Sequence, residues 1–229
     1  MSTIQLTGVR AVAFDLDDTL YPEIEFVRSG FSAVSEWLER RVKCPFDPLV
    51  RMHELFETEH RPHIFNEVLR ELGIANRPEW VVQMVECYRT HKPRIHLFTD
   101  AESTFMRWSG QYRLGLISDG PLASQKGKIQ ALGLARRLDH IILTDTWGRD
   151  FWKPHPRAYL DLQSHWGCDK SSCVYIGDNI AKDFLAPGQL GWQTVQVIRA
   201  GNVHQHENQP VGGGPDWKVD SLDDIVLTP

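Results

Sequence analysis

The chain has little cysteine. Its four residues, Cys44, Cys87, Cys168 and Cys173, form no C-x-x-C pair and have no histidine partners at zinc spacing. That argues against a disulfide scaffold or a zinc ribbon and favours reduced thiols in a cytoplasm. No apolar run approaches the length of a bilayer span, and the opening MSTIQLTGVR has no apolar signal segment. A block of Lys and Arg is missing too. The formal net charge is −5 with both signs mixed along the chain, so neither nucleic acid nor a membrane is the expected partner, while small anionic ligands stay open. Repeats and low-complexity segments are absent. What is left is an ordinary soluble, cytoplasmic protein of 229 residues, 41% of them apolar, long enough for one sizeable core and an accessory unit.

What is present is a rhythm. Short apolar or β-branched runs recur at 12–14, 114–117, 141–143, 174–176 and 195–198, as strands covered on both faces require. Helical spacing lies between the later runs: Tyr159, Leu162 and Trp166 stand three and four apart, with Pro156 near the start and Gly167 at the stop. Alternating strands and helices predict a parallel sheet. Between the first two runs lies far more chain than one crossover helix needs. Phe31, Val34, Leu38 and Val42 share a helical face there; Phe65, Val68, Leu69 and Leu72 share another, ended by Gly73; Trp80, Met84 and Tyr88 suggest a third. A further short helix is expected around Phe105 and Trp108, and the tail after Arg199 reads as a loop with a last short element near Ile225. The expected fold is therefore α/β: a doubly wound, Rossmann-like parallel-sheet core over 1–20 and 96–229, with an inserted α-helical domain over 21–95.

Ligands of an open parallel sheet collect at the carboxyl ends of its strands. After the first apolar run come Asp15, Asp17, Asp18 and Thr19; after the second, Ser118, Asp119 and Gly120; after the fourth, Gly177 and Asp178, then Asp183. Carboxylates gathered in one cleft repel unless a cation or proton intervenes. A hard divalent cation such as Mg²⁺, taking oxygen ligands from Asp15, Asp178 and Asp183, answers that repulsion. Ser118, with the N–H groups of Asp119 and Gly120, is suited to anionic oxygens, and Lys153 in FWKPHP adds positive charge.

In order and spacing, DLDDT, the serine of ISDG, the lysine of WKPHP and GDNIAKD resemble the four motifs of the haloacid dehalogenase-like (HAD) hydrolase superfamily. The resemblance covers the sheet portion, and the inserted helices look like that superfamily's cap of the first type. It implies that Asp15 is a nucleophile forming an aspartyl-phosphate. It makes Asp17 the general acid and then the base, Ser118 the phosphoryl binder and Lys153 the charge partner. Mg²⁺ would be held by the Asp15 side chain, the Asp17 carbonyl oxygen and Asp178, with Asp183 a ligand or a support. Dehalogenase-like members do without the second acid and need no magnesium, so Asp17 puts this chain with the phosphoryl-transfer members. One position departs: relatives often have Asn where Asp119 stands, and its carboxylate is expected to point away from a bound phosphate.

The resulting expectation is a Mg²⁺-dependent phosphomonoester hydrolase of a small phosphorylated metabolite, a sugar phosphate or a nucleotide, acting as monomer or homodimer. A phosphomutase, or a non-catalytic binding protein on the same scaffold, is the alternative. Asp18 reads as structural and Thr19 as a turn hydroxyl. The segments HRPH, from His60 to His63, and HQH, from His204 to His206, lack the partners of a zinc site. His60, Arg61 and His63 are instead candidates to reach a phosphorylated substrate. Trp108, Trp152 and Trp166 read as packing residues, with Trp147 and Trp152 flanking the Lys153 loop. Residues 21–95 carry eleven Lys/Arg against twelve Asp/Glu, a balance that favours no substrate.

Overall fold

A computed structural model describes residues 3–58, 60–203 and 213–228, so HQH at 204–206 lies outside the described residues. The chain divides into two compact units, residues 1–23 with 96–229, and residues 24–95.

The first unit contains strands β1 (Ile4–Thr7) and β2 (Ala11–Phe14), then β3 (Arg113–Ser118), β4 (His140–Leu143), β5 (Cys173–Gly177), β6 (Gln193–Val197), β7 (Trp217–Val219) and β8 (Ile225–Thr228). β2 to β7 form a six-stranded sheet in the order β4-β3-β2-β5-β6-β7, parallel throughout. β1 and β8 pair separately, with Ile4 opposite Ile225. Every residue of β2 and β5 is buried, as apolar runs covered on both sides must be. The pleat splits β2 between the two faces. Ala11 and Ala13 join Tyr159, Leu162, Trp166 and Ala186, while Phe14 meets Phe105 and Trp108 at ring distances of 5.7 and 6.1 Å.

Those partners belong to helices on opposite faces: α5 (Thr99–Trp108) on one, α7 (Arg157–Trp166) and α8 (Leu185–Leu190) on the other; a further α-helix of this unit, α6, spans Leu122–Ala131. Here α helices are numbered along the whole chain, so α1 to α4 fall in the second unit. α7 approaches β3 closely because Gly115 offers no side chain: a Cβ there would lie 2.6 Å from the Trp166 ring. Burying one leucine such as Leu162 is worth roughly 2 kcal/mol, which favours this close seating over a bulkier residue at 115. The expected doubly wound core is thus present. From β2 the chain builds outward to β3 and β4, then returns to the other side for β5 to β7, making β2 the point where strand order reverses.

The second unit is helical: α1 (Glu23–Glu39), α2 (Pro48–Phe56), α3 (Ile64–Glu71) and α4 (Pro78–Thr90). Phe31, Val34, Leu38, Met52, Leu55, Val68, Leu69 and Met84 share its core. Val42 lies past the end of α1, and α2 adds a helix that apolar spacing alone does not announce. Among the described residues no helix is long and apolar enough to cross a membrane.

Candidate active site

The carboxyl ends of β2, β3 and β5 are neighbours, and each delivers its polar residues there. Asp15 follows β2 directly, its N–H donating to the Ile176 carbonyl at 2.8 Å. The chain then turns sharply through Asp18, whose φ of 53° is unusual for a residue with a side chain. The Asp18 carboxylate secures that turn by accepting from the N–H groups of Glu23 and Val203, each at 2.8 Å. Asp18 is accordingly structural. Thr19 is buried and donates to Asp178 at 3.2 Å, which ties the β2 turn to the β5 turn.

Lys153 reaches this place from the segment between β4 and α7. Its side chain is wholly buried, and its ammonium donates to Asp15, to Asp183 at 2.8 Å and to the Tyr175 hydroxyl at 2.9 Å. Burial alone would lower its pKa, but the charges of Asp15, Asp183 and Asp119 outweigh that and hold it well above the usual lysine range. Asp183 also accepts from Tyr175 at 3.1 Å and from the Asn179 N–H at 2.9 Å. It can come so near the end of β5 because residue 177 is glycine, since a Cβ there would fall on the Asp183 carboxylate.

On the β3 side, the Ser118 hydroxyl is buried and has no hydrogen-bond partner among the described residues. Such a group is costly unless something else satisfies it. The Asp119 carboxylate accepts from Thr144 at 2.7 Å and from the Lys153 N–H at 3.1 Å, with the Lys182 ammonium at 4.0 Å. Its negative charge is therefore committed to three protein groups.

Asp15, Asp178 and Asp183 each present a carboxylate oxygen, all within 4.8 Å of one another and all buried. Burial raises the Asp15 carboxyl, Lys153 opposes that and Asp183 reinforces it, the net direction being upward. Burial and then the charges of Asp15, Asp183 and Asp18 push Asp178 far above the ordinary carboxylate range. The cluster is short of positive charge. Oxygen-only donors in a buried, anionic pocket fit a hard divalent cation such as Mg²⁺. Asp178 accepts from Thr19 and from Asn202 at 3.1 Å, one bond on each oxygen, whereas Asp183 accepts three, one of them from the Lys153 ammonium, and is the least available of the three.

The Asp17 side chain is not a member of that cluster. It accepts from the Tyr21 hydroxyl, from Gln125 at 3.1 Å and from Lys128 at 2.6 Å. Burial raises its carboxyl, but the charge and hydrogen bond of Lys128, with the bonds from Tyr21 and Gln125, bring it below the ordinary value. Gln125 and Lys128 are not evident from apolar spacing, and neither are Tyr175, Thr144 and Lys182. A usable signal exists for the first two: polar residues three apart on the helix that follows ISDG.

His60 and His63 are exposed, Arg61 lies over the Phe56 ring at 4.1 Å, and no histidine belongs to a possible metal group among the described residues. Trp108 and Trp166 are buried, whereas Trp152 is half-buried and donates to Asp145 at 3.2 Å. Half-buried Trp147 packs against the α7 side of the core.

Known proteins share this architecture. The chain is 26% identical over 220 residues to a glyceraldehyde 3-phosphate phosphatase of Methanopyrus kandleri, covering 93% of each. It is 24% identical over 237 residues to the N-acylneuraminate-9-phosphatase of Homo sapiens, covering 95% of this chain and 92% of that one. Among solved structures, a 2-haloacid dehalogenase from Pseudomonas syringae superposes with a TM-score of 0.62 at 19% identity, covering 93% of this chain and 95% of that one. The HAD-hydrolase YfnB from Bacillus subtilis does so at 0.65 and 17%, covering 94% and 96%. The family profile described as haloacid dehalogenase-like hydrolase matches residues 9–191, and with most of its length so matched the chain belongs to the haloacid dehalogenase-like hydrolase family.

Proposed function

We propose that this chain is a Mg²⁺-dependent phosphatase that hydrolyses small phosphorylated sugars through a covalent aspartyl-phosphate. The observation that carries the reading is the buried Lys153 ammonium joined to Asp15 at the reversal point of a parallel sheet, beside Asp178 and Asp183. The phosphatase names of the relatives support it, and their sugar-type substrates favour a sugar phosphate over a nucleotide.

A carboxylate of Asp15 attacks phosphorus, forming an acyl-phosphate bond as the ester P–O bond breaks. Asp17, which Lys128, Tyr21 and Gln125 hold ionised, must first take up a proton, which it then gives to the departing alkoxide oxygen. Water then attacks the phosphorus, Asp17 takes its proton, and the acyl-phosphate P–O bond breaks to release inorganic phosphate and restore Asp15. The unpartnered Ser118 hydroxyl and the N–H groups of Asp119 and Gly120 donate to the phosphoryl oxygens, whose charge Lys153 also offsets. The side chains of Asp15 and Asp178 and the Asp17 carbonyl oxygen would hold Mg²⁺, with Asp183 in support. When bound, the ion neutralises charge on the transferring group.

Residues 21–95 are proposed as a cap that carries substrate choice, in a cytoplasmic enzyme. The test is release of inorganic phosphate from a panel of phosphomonoesters, glyceraldehyde 3-phosphate included, with and without Mg²⁺. Magnesium-dependent release supports the reading, isomerised product without release would point to a mutase, and no turnover at all would count against it.

A further inference from the structure

We infer that the amino end of the six-stranded sheet carries a second binding site, for a small organic anion with two or more phosphate or carboxylate groups. It lies at the opposite end of the strands from Asp15 and Ser118, and it does not depend on the phosphatase reading.

The site is a cavity of about 640 Å³, within the range of roughly 300–1,000 Å³ that small-molecule pockets occupy. Its wall comes from residues at the entry to the strands: Arg10 just before β2, Arg113 at the start of β3 and Asp139 just before β4. Arg136 and Arg137 join from the segment between α6 and β4, and Trp166 from the end of α7. All belong to the first unit. Four arginines thus line one cavity of a chain whose formal net charge is −5.

Asp139 is the one acid among the described lining residues, and it is already engaged. One of its oxygens accepts from the Leu114 N–H at 2.7 Å, and the other lies 3.7 Å from the Arg113 guanidinium. Arg10 and Arg136 are exposed and have no side-chain partner among the described residues. The backbone N–H groups of Arg10, Arg113 and Asp139 are bonded to the carbonyls of Ser172, Arg10 and Leu114, so the donors on offer are guanidinium groups. Guanidinium groups take phosphate and carboxylate through paired N–H donors.

Trp166 supplies a second, independent sign. Its side chain lines the same cavity and is 9% exposed, while its indole N–H is buried with no hydrogen-bond partner among the described residues. A donor left in that state costs stability until an acceptor reaches it. An anionic oxygen in the cavity is such an acceptor. A concave cavity of this volume, rather than an extended basic face, selects a small molecule over a nucleic acid.

The experiment is isothermal titration calorimetry of the full chain as D15N, which keeps a bisphosphate from being hydrolysed. Fructose 1,6-bisphosphate and citrate are the probes, at about 0.15 M NaCl. D15N is compared with the same chain carrying R10Q/R136Q, R136Q alone, W166F or S118A. We expect a binding event that R10Q/R136Q weakens by at least about 10-fold and W166F by about 3-fold, and that S118A leaves unchanged. Either probe behaving so supports the inference, and the tighter of the two assigns the anionic group as phosphate or carboxylate. R136Q alone carries the comparison should the double variant prove unfolded by circular dichroism. Binding that R10Q/R136Q leaves undiminished, or that S118A abolishes, is adventitious or belongs to the catalytic site, and overturns the inference. So does binding of neither probe, or stronger binding of a short single-stranded oligonucleotide at the same arginines. In the wild-type background R10Q/R136Q should release phosphate from an aryl ester as wild type does; if wild type itself releases none, the phosphatase reading falls while the titration still decides this site.

Discussion

The ammonium of Lys153 lies 2.8 Å from the carboxylate of Asp183, and neither side chain reaches solvent. Because Lys153 also bonds Asp15, Asp183 fixes the direction from which positive charge meets the carboxylate proposed to react. Removing one member of a buried pair leaves the other uncompensated, at a cost of about 3–5 kcal/mol. We expect D183N to lose roughly that much in urea unfolding, and to lose turnover even at temperatures where it remains folded. Wild-type stability in the variant would show that the pair is dispensable.

Gly177 permits that arrangement, since any Cβ would fall on the Asp183 carboxylate. Overpacking typically costs about 1–3 kcal/mol, so G177A should be destabilised to that extent and its kcat should fall with Asp183 displaced. G188A is the control. A Cβ at that helical position would meet nothing within 4 Å beyond its own helix among the described residues, and exchange there should leave activity unchanged.

The Ser118 hydroxyl is buried and has no partner among the described residues, a state that disfavours folding until an anion arrives. S118A should therefore retain or slightly raise Tm while kcat/KM for phosphomonoesters falls on the order of 10-fold or more. A variant that loses stability along with activity would assign Ser118 a packing role instead.

Asp100 receives two guanidinium bonds from Arg199, at 2.6 and 3.0 Å, and one each from Ser221 and the Leu222 N–H, both at 2.8 Å. Burial raises its carboxyl, but these bonds and the Arg199 charge outweigh it and bring it below the ordinary value of 3.8. A lowered carboxyl stabilises the fold fully above its unfolded pKa, and that contribution disappears as pH falls through the lower folded value. D100N should thus be less stable than wild type at neutral pH, with the gap in Tm narrowing below about pH 4. A gap that widens in acid would contradict the assignment.

Much of this was written locally in the sequence. Strands β2, β3 and β5 are legible because a strand covered on both faces must be apolar nearly throughout, which makes the Asp15, Ser118 and Asp178 that follow stand out. α7 is legible because Pro156 and Gly167, the latter at φ 62°, bracket its apolar stripe. Strand β1 is not, since IQLT gains its meaning only by pairing with β8 at the other end of the chain. α2 carries a start signal in Asp47 and Pro48, with Asp47 accepting from the N–H groups of Leu49 and Val50, but its buried stripe of Met52 and Leu55 is too short to reveal a period. α6 hides for the opposite reason. Apolar periodicity cannot disclose a helix whose buried face is polar, and so Gln125 and Lys128 become evident only when Asp17 is seen beside them.

The most direct test is rapid acid quench of the enzyme with a substrate radiolabelled at phosphorus, followed by mapping of the labelled peptide. The expected result is label on Asp15 in wild type and none in D15N, which should remain folded without turnover. Label on another residue, or phosphate release by D15N at the wild-type rate, would contradict the nucleophile on which the proposed reaction depends.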